Sequence, residues 1–110
     1  MDSPQESDWK KYRAMLVPWR ERYLRDLNPR IASILTDPKL SETDRFWTAA
    51  KLVSEESRVL DRCLGDIRRS QMVSSLRSMR EAGIIERDDL AAFSAELRDS
   101  IFYDFPQQTG

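Results

Sequence analysis

Two pairs of adjacent carboxylates, Glu55 with Glu56 and Asp88 with Asp89, come closest to a reactive constellation in this chain. Paired carboxylates can hold magnesium or divide into the acid and base of a glycosidase. Adjacent residues on a helix point in different directions, however, so neither pair converges on one ligand. The first pair reads as a solvated helix face and the second as a helix start. Cys63, the only cysteine, lies between Val59 and Ile67 at helical spacing and reads as a buried, inert thiol. It excludes an internal disulfide and suits a reducing compartment. The chain has no histidine, which removes the usual central residue of neutral-pH acid-base catalysis, serine activation and most zinc sites. The residues therefore point to no catalytic or metal site, no cofactor and no evident small-molecule substrate.

Composition bounds what must position any binding residues. At 110 residues, 40% hydrophobic and 34% charged, with a net charge of −1, the chain reads as one soluble helical domain over 1–110. Residues 1–7 and 104–110 are expected to fray. The start lacks the basic and apolar segments of a secretory leader, and no apolar run approaches the ~20 residues of a bilayer span. The expected location is the cytoplasm, with no membrane partner.

Periodicity predicts an all-α, single-domain bundle of four or five helices, with a long central helix over about 42–64 and a helical hairpin over 68–103. Trp9, Tyr12, Leu16, Trp19 and Tyr23 recur in steps of three and four and form one aromatic stripe. Pro18 falls inside that stripe and predicts a kink, because the stripe keeps phase across it. Asn28 and Pro29 resemble a cap and first residue of a new short helix, which Asp37-Pro38 ends. Ser41 is placed to cap the central helix, whose predicted seam is Phe46, Ala50, Val53, Ser57, Leu60, Leu64 and Ile67. Gly65 reads either as an interior residue or as a left-handed stop. A following helix carries Met72, Val73, Leu76 and Met79, and Gly83 ends it. Asp88 or Asp89 is expected to open the last helix, with Leu90, Phe93, Leu97 and Ile101 on one side. The N-terminal and final helices are expected to pack on the central one.

Two functional readings follow. In the first, the protein is a small non-enzymatic regulator or adaptor that docks a protein partner, or a second copy of itself, through an apolar helix face. Aromatic residues are enriched at such interfaces, and Trp9, Trp19 and Tyr23, or Phe102, Tyr103 and Phe105, are the candidate anchors. In the second, the segment from Leu60 to Arg87 resembles a helix-turn-helix. That resemblance implies DNA as the partner, read by Arg68, Arg69, Ser70, Gln71, Ser74 and Arg77. Residues 58–80 carry a local charge of plus four and residues 81–110 minus five. The resemblance covers about a quarter of the chain, and three features depart from it. Asp61 stands where a small residue normally packs, the turn is one residue too long, and a helix follows where a winged regulator has a hairpin. A break at Gly65 with helices crossing near a right angle favours the DNA reading, and one helix running from 42 past 67 excludes it.

Overall fold

The computed structural model describes residues 6–103. These residues form four α-helices, α1 (Glu6–Leu35), α2 (Glu42–Leu64), α3 (Met72–Glu81) and α4 (Ala95–Ile101), with 3₁₀ turns at Arg69–Gln71 and Arg87–Leu90 and no strand among them. α1 and α2 are antiparallel neighbours, α3 packs on α2, and α4 packs on α3. The last pairing corrects the expectation that the final helix lies against the central one. Seven residues make about two turns, too little for a second packing face.

α1 runs unbroken through Pro18 and Pro29, so Asn28 and Pro29 do not begin a new helix. The two prolines are eleven residues apart, about three turns, and therefore lie on the same side of the helix. Each removes the amide that would bond the carbonyl four residues earlier, on Ala14 and Arg25. Both prolines and both carbonyl residues are exposed, so water can take the donors' place. Meanwhile Leu27 is buried and Ile31 and Ile34 are half-buried. Burial of this face helps offset the roughly 3 kcal/mol that an interior proline costs.

The helix ends follow local chemistry. Ser41 Oγ accepts the Asp44 amide at 3.0 Å and starts α2 as its sequence predicts. α2 stops at Gly65, whose backbone is extended (φ −84°, ψ −179°) rather than left-handed. Side chains take two of the carbonyls left open there: Ser75 Oγ donates to Cys63 O at 3.2 Å and an Arg20 amino group to Leu64 O at 3.2 Å. α3 ends at Gly83, which does adopt a left-handed φ of 75°. The Ile84 amide bonds Met79 O and the Gly83 amide bonds Arg80 O, the two bonds of a Schellman motif. Ile84 and Ile85 then fold into the core. α4 starts at Ala95, not at Asp88 or Asp89. Asp89 closes a 3₁₀ turn by accepting the Glu86 amide at 2.7 Å, whereas Ser94 Oγ accepts the Leu97 amide and caps the helix.

The core gathers at one end of the molecule. Tyr12 and Trp19 of α1, Cys63 and Leu64 of α2, Met72, Leu76 and Met79 of α3, and Leu97 and Ile101 of α4 bury against Ile84, Ile85, Leu90 and Phe93. Beyond this head, the second half of α1 and the first half of α2 continue as a two-helix arm in which only Leu27 and Ala49 are buried. The radius of gyration is 17.3 Å, against about 13 Å for a compact domain of this length. The shortest dimension, 19 Å, is two layers of helix.

Gly65 is the only residue type that fits the close approach at the end of α2, since a Cβ there would lie 2.7 Å from Asp61 O. Gly65→Ala is expected to lower stability by about 1–3 kcal/mol, measured by urea unfolding. A neutral result would mean that the backbone shifts there at little cost.

Candidate functional site

The carboxylate pairs do not assemble a reactive centre. Glu56 accepts the Tyr23 hydroxyl between α1 and α2, while Glu55 faces away into an open groove. Asp89 is gripped by Arg22 through two bonds of 2.8 and 3.0 Å, and Arg22 also donates to Ile84 O at 2.8 Å. Asp88 is exposed beside it. Burial works against the Asp89 charge, but hydrogen bonds from Arg22 and the Glu86 amide, with the guanidinium charge, hold its pKa below the ordinary carboxylate value. Cys63 is fully buried, and burial pushes its thiol up, which makes it a poor nucleophile. No group of three Cys, Asp or Glu residues converges on a metal position among the described residues.

Most of the aromatic candidates belong to the head. Trp19 is 1% exposed and stacks on Phe93 at 6.4 Å between centroids, so it cannot anchor a partner without unfolding. Trp9 stacks on Tyr12 at 5.6 Å, and both pack into the same cluster. Tyr23 is half-buried and committed to Glu56. Phe102 packs on the core beneath the Arg80 guanidinium, 5.3 Å from its ring centre. Tyr103 is exposed, at the rim of a cleft with Arg77 and Ser100. Phe105 lies outside the described residues. Trp9, Trp19, Tyr23 and Phe102 thus all pack on the core of the small head, Trp19 fully buried and the other three half-buried.

The residues proposed to read DNA lie at the start of α3 and in the turn before it. Arg68, Ser70, Gln71, Ser74 and Arg77 are exposed and Arg69 is half-buried. Several are already engaged: Arg69 pairs with Glu6 at 2.6 Å, Arg77 donates to Ser100 Oγ at 3.0 Å, and Gln71 accepts the Arg68 amide at 2.8 Å. α2 does break at Gly65, so the continuous helix that would exclude this reading is absent.

The surface that stands out was predicted to be interior. On α2 the inward face is Ala49, Leu52, Glu56 and Cys63, and the arm part of the predicted seam is turned off it. Phe46 is 58% exposed and Val53 45%, and Ala50 and Ser57 lie beside them. The neighbouring stripe faces α1 instead, with Ala49 buried and Glu56 bonded to Tyr23. At about 100° per residue, Phe46, Ala50, Val53 and Ser57 share one side of the helix pair with Leu24, Asn28, Ile31 and Leu35 of α1. The opposite side is identified by its groove of about 630 Å³, lined by Arg30, Ser33, Thr48, Lys51 and Glu55 among others. Six large apolar side chains are exposed among the described residues: Val17, Leu35, Phe46, Trp47, Val53 and Tyr103. All but Tyr103 lie on the first side or at its edge, where Trp47 meets Phe46 edge-on at 4.9 Å. A third of the chain is charged, yet none of the eight residues on this side of the arm is. The adjacent pair Phe46-Trp47 was the available signal, since two neighbouring helical residues cannot both face one inner partner.

Compared with family models, curated proteins and solved structures, the chain matches none.

Two interactions in the head make a testable pair. Asp8 is 2% exposed and accepts both the Ser94 amide at 2.9 Å and the Ser94 hydroxyl at 2.7 Å, tying the start of α1 to the cap of α4. Asp8→Ala strands that amide and is expected to cost about 1–3 kcal/mol, read by thermal unfolding. Asp89 has a depressed pKa in the fold, so its contribution is present above the unfolded value of about 3.9 and is lost as pH falls through the lower folded value. Asp89→Asn should therefore destabilise the protein at neutral pH, and the gap from wild type should close in acid. A gap independent of pH would contradict this assignment.

Proposed function

We propose that this protein is a small non-enzymatic regulator or adaptor that docks a protein partner through the uncharged side of its α1/α2 arm. The observation that carries the reading is the placement of Leu35, Phe46, Trp47 and Val53 together, exposed along or beside a stripe whose eight arm residues are uncharged, with Val17 beyond it past Glu21. Apolar side chains scattered singly over a surface need no explanation, but a contiguous patch marks an interaction site. Phe and Trp at its wide end are of the kind that fill partner pockets and dominate interface energies. The arm contributes little to the protein's own core, so its shape is better accounted for by what it presents than by what it buries.

A second reading, a helix-turn-helix regulator of DNA, is favoured by one observation, the break of α2 at Gly65 before a turn in which Arg68, Ser70 and Gln71 are exposed, as Ser74 is in the first turn of α3. The bonds from Arg69 to Glu6 and from Arg77 to Ser100 compete with phosphate contacts, and a net charge of −1 supplies little attraction at long range.

The experiment is a comparison of baits. Wild type, Phe46→Ala with Trp47→Ala, and Arg68→Ala with Arg69→Ala are immobilised, and what each retains, protein and duplex DNA alike, is measured. Docking through the arm predicts protein retention that the Phe46/Trp47 variant loses and the arginine variant keeps, at equal helix content by circular dichroism. Salt-sensitive DNA binding that only the arginine variant loses would reverse the two readings.

A further inference from the structure

We propose that the partner of the arm is a second copy of this chain, paired antiparallel so that the two arms close a four-helix bundle with the heads at opposite ends. The inference rests on the docking reading above and goes further by naming the occupant. The first argument is spacing. On α2 the open side is Phe46, Ala50, Val53 and Ser57, and the same side of α1, where Leu24 and Ile31 are half-buried and Asn28 and Leu35 exposed, has the same steps of four, three and four. This is the spacing by which helices interlock knobs into holes. Two such helices side by side form half a bundle, and another copy supplies the missing half.

Side-chain size sets the direction. A two-fold axis across the arm midway between Ala50 and Val53 places Phe46 over the partner's Ser57 and Val53 over the partner's Ala50. On α2 each large residue then meets a small one, and the contact is isologous, as a two-fold axis requires. The other two-fold arrangement, with both heads at one end, stacks Phe46 in the layer of Leu35 and leaves Ser57 in the layer of Leu24, without that fit. Charge adds a second argument. A surface with no charge offers nothing to an oppositely charged partner, but it can bury against itself with no like charges opposed. Area then sets strength. Twelve residues along each of two helices give a footprint of roughly 18 by 20 Å, below the ~800 Å² per partner of a standard interface. The pairing is accordingly reversible and concentration-dependent, and salt has little effect on it.

Sedimentation equilibrium of the purified protein over a concentration series tests this. Wild type should pass from one to two chain masses as concentration rises, equally at low and high salt. Val53→Glu and Ala50→Glu, exposed or half-exposed positions where circular dichroism should report unchanged helix content, should remain monomeric, whereas Lys51→Ala, on the opposite groove, should dimerise as wild type does. Ala50→Cys mixed with Val53→Cys should form a disulfide between copies more readily than either variant alone. A wild type that stays monomeric to its solubility limit, or glutamate variants that still dimerise, would overturn the self-pairing. Dimers without the mixed disulfide would overturn the antiparallel arrangement. If wild type is monomeric but the bait comparison still shows protein retention lost with Phe46 and Trp47, the docking reading survives and only the second copy is rejected.

Discussion

The structure depends on the burial of Tyr12 and Trp19, seven residues and about two turns apart on one face of α1. The Tyr12 hydroxyl is 2.9 Å from Ser75 Oγ, which also bonds Cys63 O, so one chain of hydrogen bonds joins α1, α3 and the end of α2. Trp19 stacks on Phe93 and brings in the segment that leads to α4. Arg22, one turn further, clamps Asp89 and Ile84 O in the same connector. Three short elements too small to fold alone are held because one long helix offers them a continuous aromatic stripe.

That same helix is also what creates the arm. α1 has 30 residues, about 45 Å, and the head uses only the first part of it. The remainder has α2 as its main neighbour, and two helices alone can bury little more than the line between them. The consequence is an exposed apolar side that a soluble helix pair does not normally leave bare. The head and the arm thus follow from one cause, a helix longer than its core.

Much of this was legible in the residues. The stripe from Trp9 to Tyr23, the Ser41 cap and the Gly83 stop are local signals with local mechanisms, and each lies where its chemistry puts it. Pro29 misled because helix breaking depends on whether the freed carbonyl of Arg25 is buried or wet, which only the packed structure decides. Asp88 and Asp89 misled because an acid can cap a 3₁₀ turn as well as a helix, and Ser94 was the stronger cap. Most of the aromatic candidates lie in the head, because a core that small draws on every ring within reach of it. Choosing between the stripes of Phe46 and Ala49 required knowing which one α1 covers, and both have helical spacing.

The measurement that bears most directly on the account is an amide NMR spectrum followed through a dilution series, with assigned resonances. The account predicts concentration-dependent shifts confined to the bare side of the arm, within residues 24–35 and 46–57, with the head unchanged. Shifts centred on residues 68–77, or none at any concentration together with none on adding a retained protein, would contradict it.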